Sequence, residues 1–413
     1  MKENKRPHIL IVGGGFAGIA TALRLSKKSN NTRITLISSN PHFEYYPALY
    51  KVATGKSPLG ATIQLDAVLK NSRVEIVQDK IIQFTLNQNT IKGESGSLYT
   101  FDYLIIALGS ETVYFNIPGL AEYSYSFKSI DQALKLKNHL HTLLSNHSEA
   151  WVQDLDKHLR VVVCGGGASG VELAGELVGY FNQIAKCHEV NLKHVEVMLV
   201  EGNPRILPML DEKISKRVTR RLLGLGVKVV TGQAITHQEE ECVYTTNMSI
   251  PTKTVVWTAG VKINSLYQGI EGLQFSPKGR VLVDEHLRAR GFSNVFIAGD
   301  AADTKYSGFA QTALYDGNYI AKTITQLIKD KTPRPYIPKD VVHALPIARG
   351  WGIVSYKKYF MMGPLGYILR RLADFDFFIK ILPLRQAINV MTQQGIQTEL
   401  CINCKSDIYS KDL

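Results

Sequence analysis

Along this chain, short unbroken apolar runs alternate with longer stretches in which apolar residues recur every three or four positions. "HILIV" from His8 is followed by a glycine turn, by "FAGIATALRLSKK", and then by "RITLISS" from Arg33. Such a series predicts a buried strand, a tight turn, a helix and a second strand. Continuously apolar strands mark a parallel sheet covered on both faces. The same pattern returns at "RVVVCGGGASGVELAGELVGYF" and "HVEVMLVEGNP", so the chain carries a duplicated module. Two further predicted strands, "DYLIIALGS" (102–110) and "TVVWTAGV" (254–261), end in a small residue and a glycine, one for each module. "VLVDEHLRARGFSNVFIAGDAAD" predicts a short strand, a turn, and another strand closing on Gly-Asp. The helix of "GFAQTALYDGNYIAKTITQLI" follows, and Pro-rich "KDKTPRPYIPKD" reads as a linker.

The glycines give the two modules a chemistry. Gly13, Gly15 and Gly18 stand in G-x-G-x-x-G spacing between a strand and a helix, as do Gly165, Gly167 and Gly170. The first glycine permits the tight turn, the second lets backbone approach a pyrophosphate, and the third lets the helix pack on the strand. The phosphates then meet the positive end of the helix. An acidic residue closing the second strand accepts a ribose hydroxyl and repels a 2′-phosphate. Glu201 holds that position in the second module and predicts NADH over NADPH, with Arg205 nearby as a counter-signal. The first module has Ser38, then Ser39, in its place. Two dinucleotide sites imply two dinucleotides, and the economical pair is a flavin, FAD, and an exchangeable NADH.

Composition narrows the class. At 45% apolar and 20% charged, the 413 residues suit two or three folded domains. Lys and Arg outnumber Asp and Glu by 48 to 36, a net charge of +12 that suits an anionic partner. No recognition-helix motif or concentrated basic arm is present, which disfavours nucleic acid. The five cysteines are scattered, and none precedes Cys164. This excludes the redox cysteine pair that flavoprotein disulfide reductases carry early in the chain. The sulfide:quinone oxidoreductase chemistry needs thiols that this early part also lacks. Cys401-x-x-Cys404 is a single close pair, weak as a zinc or redox signal. No metal site is indicated. No run reaches the ~18 apolar residues of a spanning helix, and the N-terminus shows no secretory signal or transit segment.

The glycine segments, with "YYPALYKVATGKSP" (45–58), "GGGASGVELAGEL" (165–177), "VVWTAGV" and "VFIAGDAA", resemble the type II NADH dehydrogenases. These are non-pumping NADH:quinone oxidoreductases of the two-dinucleotide-binding-domain flavoproteins. The resemblance spans about residues 7–330. It implies an α/β fold of two Rossmann-like domains: a discontinuous FAD domain (1–120 and 275–335) and an NADH domain (121–274). A C-terminal membrane-anchoring region (336–413) completes it. It implies FAD contacts at Gly13, Gly15, Phe16, Ala17, Gly18, Ser38, Ser39, Pro47, Thr54, Val77, Ala107, Gly109, Gly299, Asp300, Ala310 and Gln311. NADH contacts are implied at Gly165, Gly167, Gly170, Glu172, Glu201, Ala259 and Gly260. Asp300 would bond the ribityl and phosphate region, its plain alternative being a helix N-cap. Glu172 would orient NADH or assist proton movement, with a pKa raised by burial; its plain alternative is a first-turn helix acid. Gln311 matches the first glutamine of the family's "AQxAxQ" quinone segment. Tyr315 stands where the second belongs, free either to stack on a quinone or to close its pocket.

The tail "KKYFMMGPLGYILRRLADFDFFIKILPLR" (357–385) remains. Its longest uncharged part, Tyr359 to Leu369, is too short to span. Leu365, Ile368, Leu369, Leu372, Phe375, Ile379 and Leu382 recur at helical spacing. Lys357, Lys358, Arg370, Arg371, Lys380 and Arg385 flank or interrupt them, and Asp374 and Asp376 oppose the trend. Apolar faces with basic flanks suit an interfacial helix on anionic lipid, and the resemblance agrees. The expectation is a peripheral enzyme on the cytoplasmic side of a bacterial cell membrane. A helix pair packed on the enzyme's own core or on a second subunit stays open, as does a homodimer. Two other functions also stay open. One is a soluble reductase of the same fold serving a small redox protein such as ferredoxin. The other is a redox-sensing NADH-binding flavoprotein.

Overall fold

A computed structural model describes residues 6–29, 31–145, 159–188 and 195–398. Cys401 and Cys404 lie outside these. The chain divides into two compact units. The first comprises residues up to Glu44, Thr62–Glu111 and Val261–Val341. The second comprises Tyr45–Ala61, Thr112–Gly260 and the chain from Val342 onward. The compact units change over at 111/112 and 260/261. The described tail residues, from Val342 to Thr398, cluster with the second unit.

In the first unit, five parallel strands lie in the order Val295–Ile297, Tyr103–Ile106, His8–Val12, Arg33–Ser38 and Val74–Gln78. The apolar runs occupy the centre: Ile9, Leu10, Ile11, Leu36, Leu104, Ile105 and Ile106 are fully buried. The helix Phe16–Lys28 packs against Ala310–Leu327 with the backbones close. A Cβ added at Gly317 would lie 2.3 Å from the Ala17 carbonyl oxygen. "VLVD" forms isolated bridges at Val281 and Val283 rather than the expected strand.

The second unit repeats the arrangement. Its parallel strands run Ser124–Ser126, Thr254–Trp257, Arg160–Cys164, Glu196–Glu201 and Lys228–Thr231, again with the glycine-turn strand in the centre. Cys164 sits there wholly buried, which pushes its thiol up to about 12 and leaves it inert. Each unit adds a three-stranded antiparallel sheet, at Ile81–Thr100 in the first and Ile235–Pro251 in the second.

The tail differs from its sequence reading. His343–Pro346, Gly352–Tyr356 and Tyr359–Gly363 form one antiparallel sheet. "YFMMG" is thus a strand and no part of a helix. A turn at Lys357, with φ +53, reverses the chain before it, and its side chains alternate outward and inward. Helices Pro364–Ile381 and Leu384–Gln393 follow. Among the described residues, no helix is long and apolar enough to cross a membrane.

Candidate active site

The two glycine turns have the same geometry. Gly13 and Gly165 hold φ near +114 and +118, and a Cβ at Gly13 would stand 2.3 Å from the Ala107 carbonyl oxygen. At Gly165 it would stand 2.8 Å from Ala259 Cα. A Cβ at Gly18 or Gly170 would lie 1.9 Å from the carbonyl oxygen of Gly13 or Gly165. At Gly15 and Gly167, by contrast, it would meet nothing within 4 Å. Each turn is closed where helix meets strand and open at the middle glycine. That is the shape that admits a pyrophosphate to backbone N–H groups. The residues present therefore fit a dinucleotide in each unit.

The far ends of the nucleotide strands differ. The buried Glu201 carboxylate accepts the Gly166 amide at 2.5 Å, the Asn203 amide at 2.7 Å and the Asn203 side-chain amide at 2.6 Å. Arg205 donates to the carbonyls of Leu207 and Pro208, at 3.1 and 2.7 Å. Its guanidinium thus closes its own loop. In the first unit Ser38 Oγ accepts, among the described residues, only a long bond, 3.3 Å, from the Asn40 amide, and Ser39 is exposed.

Other expected flavin residues of the first unit gather on the same sheet. Phe16, buried, meets the Phe43 ring edge-on at 4.9 Å, and Ala17 follows it on the helix. Val77 pairs with Ile37. Gly109, at φ +68, accepts the Asn264 amide. Gly299 and Asp300 form a short turn, and the Ser110 hydroxyl donates to the Asp300 carboxylate. No side chain caps that turn or the Ala310–Leu327 helix, so Asp300 is not an N-cap. Gln311 is exposed in the first turn of that helix. Beside it the buried Thr312 hydroxyl has no partner among the described residues. The Tyr315 ring lies 5.6 Å from Tyr336, with the Lys339 ammonium 4.4 Å above it.

The second unit holds the remaining residues and a cluster that sequence reasoning missed. Glu172 lies in the second turn of the helix Ala168–Cys187, which rules out the first-turn role. It is buried, and no described residue donates a hydrogen bond to it. Burial pushes its carboxyl up to about 8, against the charges of Arg370 and Lys51. Lys51 is buried too, and burial together with Arg371 lowers its ammonium to about 7. It donates to Gln394 Oε1 at 2.8 Å, which also accepts from Arg371 at 2.8 Å. Arg370 and Asp374 form a buried ion pair one turn apart in Pro364–Ile381, and the Tyr45 hydroxyl donates to the same carboxylate. Tyr45 also stacks on Phe377 at 5.0 Å. Burial thus moves the Glu172 carboxyl and the Lys51 ammonium toward neutral pH from opposite sides.

Pro47 and Thr54 belong to this unit. The Pro47 carbonyl accepts from Arg370 at 3.4 Å, and the Thr54 hydroxyl donates to Tyr50 O at 2.8 Å. At Gly260 a Cβ would strike the Phe115 ring at 2.5 Å. The one sequence signal for the missed cluster was Lys51 itself, a lone ammonium inside "PALYKVATG". Arg370 was read as a lipid-facing base, but the structure turns it inward. Among the described residues, no group of three or more His, Cys, Asp or Glu is placed to hold a metal ion.

Comparison with known proteins gives a consistent set of likenesses. Residues 7–317 match the family profile described as pyridine nucleotide-disulphide oxidoreductase. The type II NADH:quinone oxidoreductase of Staphylococcus saprophyticus is 26% identical over 365 residues, covering 84% of this chain and 90% of that protein. Its namesake in Staphylococcus aureus is 25% identical over 392 residues, covering 91% and 96%. Among solved structures, NDH2 from Plasmodium falciparum in complex with NADH superposes with a TM-score of 0.86. It is 19% identical, over 95% of this chain and 98% of that one.

Proposed function

Because the chain belongs to the pyridine nucleotide-disulphide oxidoreductase family, matched over residues 7–317, we propose that it is a type II NADH:quinone oxidoreductase. It oxidises NADH and reduces a quinone without pumping protons. The similarly named staphylococcal relatives, aligned over most of their length, support this reading. The observation that carries it is the pairing of two dinucleotide cradles with a buried carboxyl poised near neutrality at Glu172. When bound, FAD supplies the centre that takes a hydride from NADH and passes two electrons to the quinone.

The chain's own residues do the rest. Gly13, Gly15 and Gly18 admit the FAD pyrophosphate, and Asp300 receives its ribityl and phosphate region. Gly165, Gly167 and Gly170 admit that of NADH, and Glu201 takes its ribose hydroxyls. Overall, NADH, quinone and a proton give NAD⁺ and quinol. Glu172 orients NADH or holds that proton at its carboxyl, whose raised pKa keeps it protonated at pH 7. Gln311 and Tyr315 meet the quinone. Tyr315 is already braced by Tyr336 and Lys339, which suits a ring wall better than a mobile hydrogen-bond donor.

The tail brings the enzyme to its lipid-soluble substrate. Leu365, Ile368, Leu372, Leu384 and Ile388 are each 50 to 60% exposed. Lys357, Lys358 and Arg385 are exposed in the same tail. This surface suits peripheral docking on anionic lipid at the cytoplasmic face. A second reading is favoured by the antiparallel sheet of His343–Gly363. Soluble reductases of this superfamily end in a small domain of sheet and helix, and they reduce small redox proteins such as ferredoxin. One experiment separates the two: reduce the purified holoprotein with NADH without oxygen, then add a short-chain quinone, ferredoxin or oxygen. Rapid reoxidation by quinone is expected. Reoxidation by ferredoxin alone would establish the second reading.

A further inference from the structure

The segment 330–340, which reads as a linker, is tied to the fold at several residues, Tyr336 among them. The Tyr336 amide donates to Glu285 O at 2.7 Å, and its ring packs edge-on against Tyr319 at 5.1 Å. Its hydroxyl donates to Asp316 Oδ1 at 2.6 Å. Asp316 lies in the Ala310–Leu327 helix and is wholly buried. Its other oxygen, Oδ2, accepts the Gly299 amide at 3.0 Å. Gly299 holds φ +75 and immediately precedes Asp300, whose carboxylate takes the Ser110 hydroxyl. Burial pushes the Asp316 carboxyl up to about 6 against these two hydrogen bonds. At neutral pH it is ionised, and both oxygens accept.

We propose that Asp316 is a positioning residue for the flavin, fixing the Gly299–Asp300 turn through its hydrogen bond to the Gly299 amide, with Tyr336 setting its orientation. The Gly299 N–H lies in the Ala298–Gly299 peptide, and the wide φ freedom of glycine leaves that amide little intrinsic preference for one direction. A buried charged acceptor on that amide supplies the preference. Ser110 holds the Asp300 side chain from one side, and Asp316 holds the backbone from the other. Tyr336 holds the carboxylate in the orientation that faces Gly299, because it engages the other oxygen. The segment after the helix thereby bears on flavin binding.

The proposal rests on the reading of the first unit as the FAD site. Apoprotein is titrated with FAD by flavin fluorescence, and the bound flavin is recorded by visible circular dichroism. Removing both hydrogen bonds in Asp316→Leu should weaken FAD roughly a hundredfold. Asp316→Asn keeps an acceptor for Gly299 and should stay within about tenfold of wild type. Tyr336→Phe should lie about threefold to tenfold below wild type, with an altered dichroism band and unchanged NADH affinity. Wild-type affinity and dichroism in both Tyr336→Phe and Asp316→Asn would overturn the proposal. So would an Asp316→Asn protein no better than Asp316→Leu. If Asp316→Leu does not fold, the other two variants decide. Wild-type apoprotein that takes up no FAD removes the reading beneath the proposal, a result distinct from variants that match a wild type that binds.

Discussion

The two nucleotide units are one design used twice, and they differ where the duplicated helices meet the rest of the chain. Aligning the glycines puts Ala20 of the first unit opposite Glu172 of the second. Ala20 packs beneath the Ala310–Leu327 helix, 3.1 Å from where a Gly317 Cβ would stand. That face is closed by close helix contact. In the second unit, the helix bearing Glu172 packs against Leu49–Ala53, which brings in the Lys51 ammonium. The glycine cradle is therefore generic, since backbone alone makes it. On the proposed reading, what a unit does beyond binding phosphate depends on the side chains added around it: Asp300 and Asp316 in the first, Glu201, Glu172 and the Arg370–Asp374 pair in the second.

The most drastic way to break the comparison is to fill both cradles. Gly18→Val and Gly170→Val drive a side chain into carbonyl oxygens 1.9 Å from the Cβ. The first should yield colourless protein. The second should stay yellow, with a flavin that NADH no longer bleaches. Absorbance at the flavin band before and after NADH reads both, and the same loss from both variants would erase the division of labour.

Next in size is the buried Arg370–Asp374 ion pair of the second unit. Asp374→Ala leaves a buried guanidinium uncompensated and should cost about 3–5 kcal/mol in urea unfolding. Replacing Arg370 and Asp374 together with Met and Leu should cost far less, because no charge is stranded.

Glu172→Gln should change how stability depends on pH. Burial raises the Glu172 carboxyl from its ordinary 4.5 to about 8, so the folded chain holds a proton that the unfolded chain releases. The stability it contributes is complete below pH 4.5 and is lost as pH rises toward 8. Lys51, lowered to about 7, begins to lose its charge in the folded state toward the top of the window, but it does so in both proteins and drops out of their comparison. Wild type should therefore lose about 1.4 kcal/mol per pH unit relative to Glu172→Gln in that window. Parallel curves from urea midpoints would place Glu172 in water.

The smallest effect tests the ribose end. Glu201→Gln should weaken NADH about tenfold while leaving NADPH nearly unchanged, through loss of a charged acceptor. Initial rates with each nucleotide measure the ratio. The first unit, with Ser38 there, should be indifferent to Ser38→Ala at the level of FAD retention.

The cradles were legible because their determinants are local. Glycines at fixed spacing between an apolar strand and an amphipathic helix state their backbone geometry in a few residues. Glu201 was legible for the same reason, as the last residue of a strand. Asp316 was not, since its role needs the helix register, the turn at Gly299 and Tyr336 together. Lys51, Asp374 and Gln394 are far apart in the chain, and no local pattern announces that they meet. The tail was half legible. Its helical spacing from Leu365 is real, but that period alone does not tell which face turns inward. Here the charged pair does, carrying Phe377 and Phe378 with it. The strand Tyr359–Gly363 was hidden because its apolar residues run directly into those of the helix.

The path of the backbone has a consequence of its own. It passes from one unit to the other at 44/45, 61/62, 111/112, 260/261 and 341/342. No single cut frees either unit, and no contiguous gene fragment encodes one. A protease that nicks one of these junctions leaves two pieces that the internal packing of a unit still holds together. Neither unit can be traded for a foreign one by simple fusion, so the pair must be inherited, folded and lost as a whole.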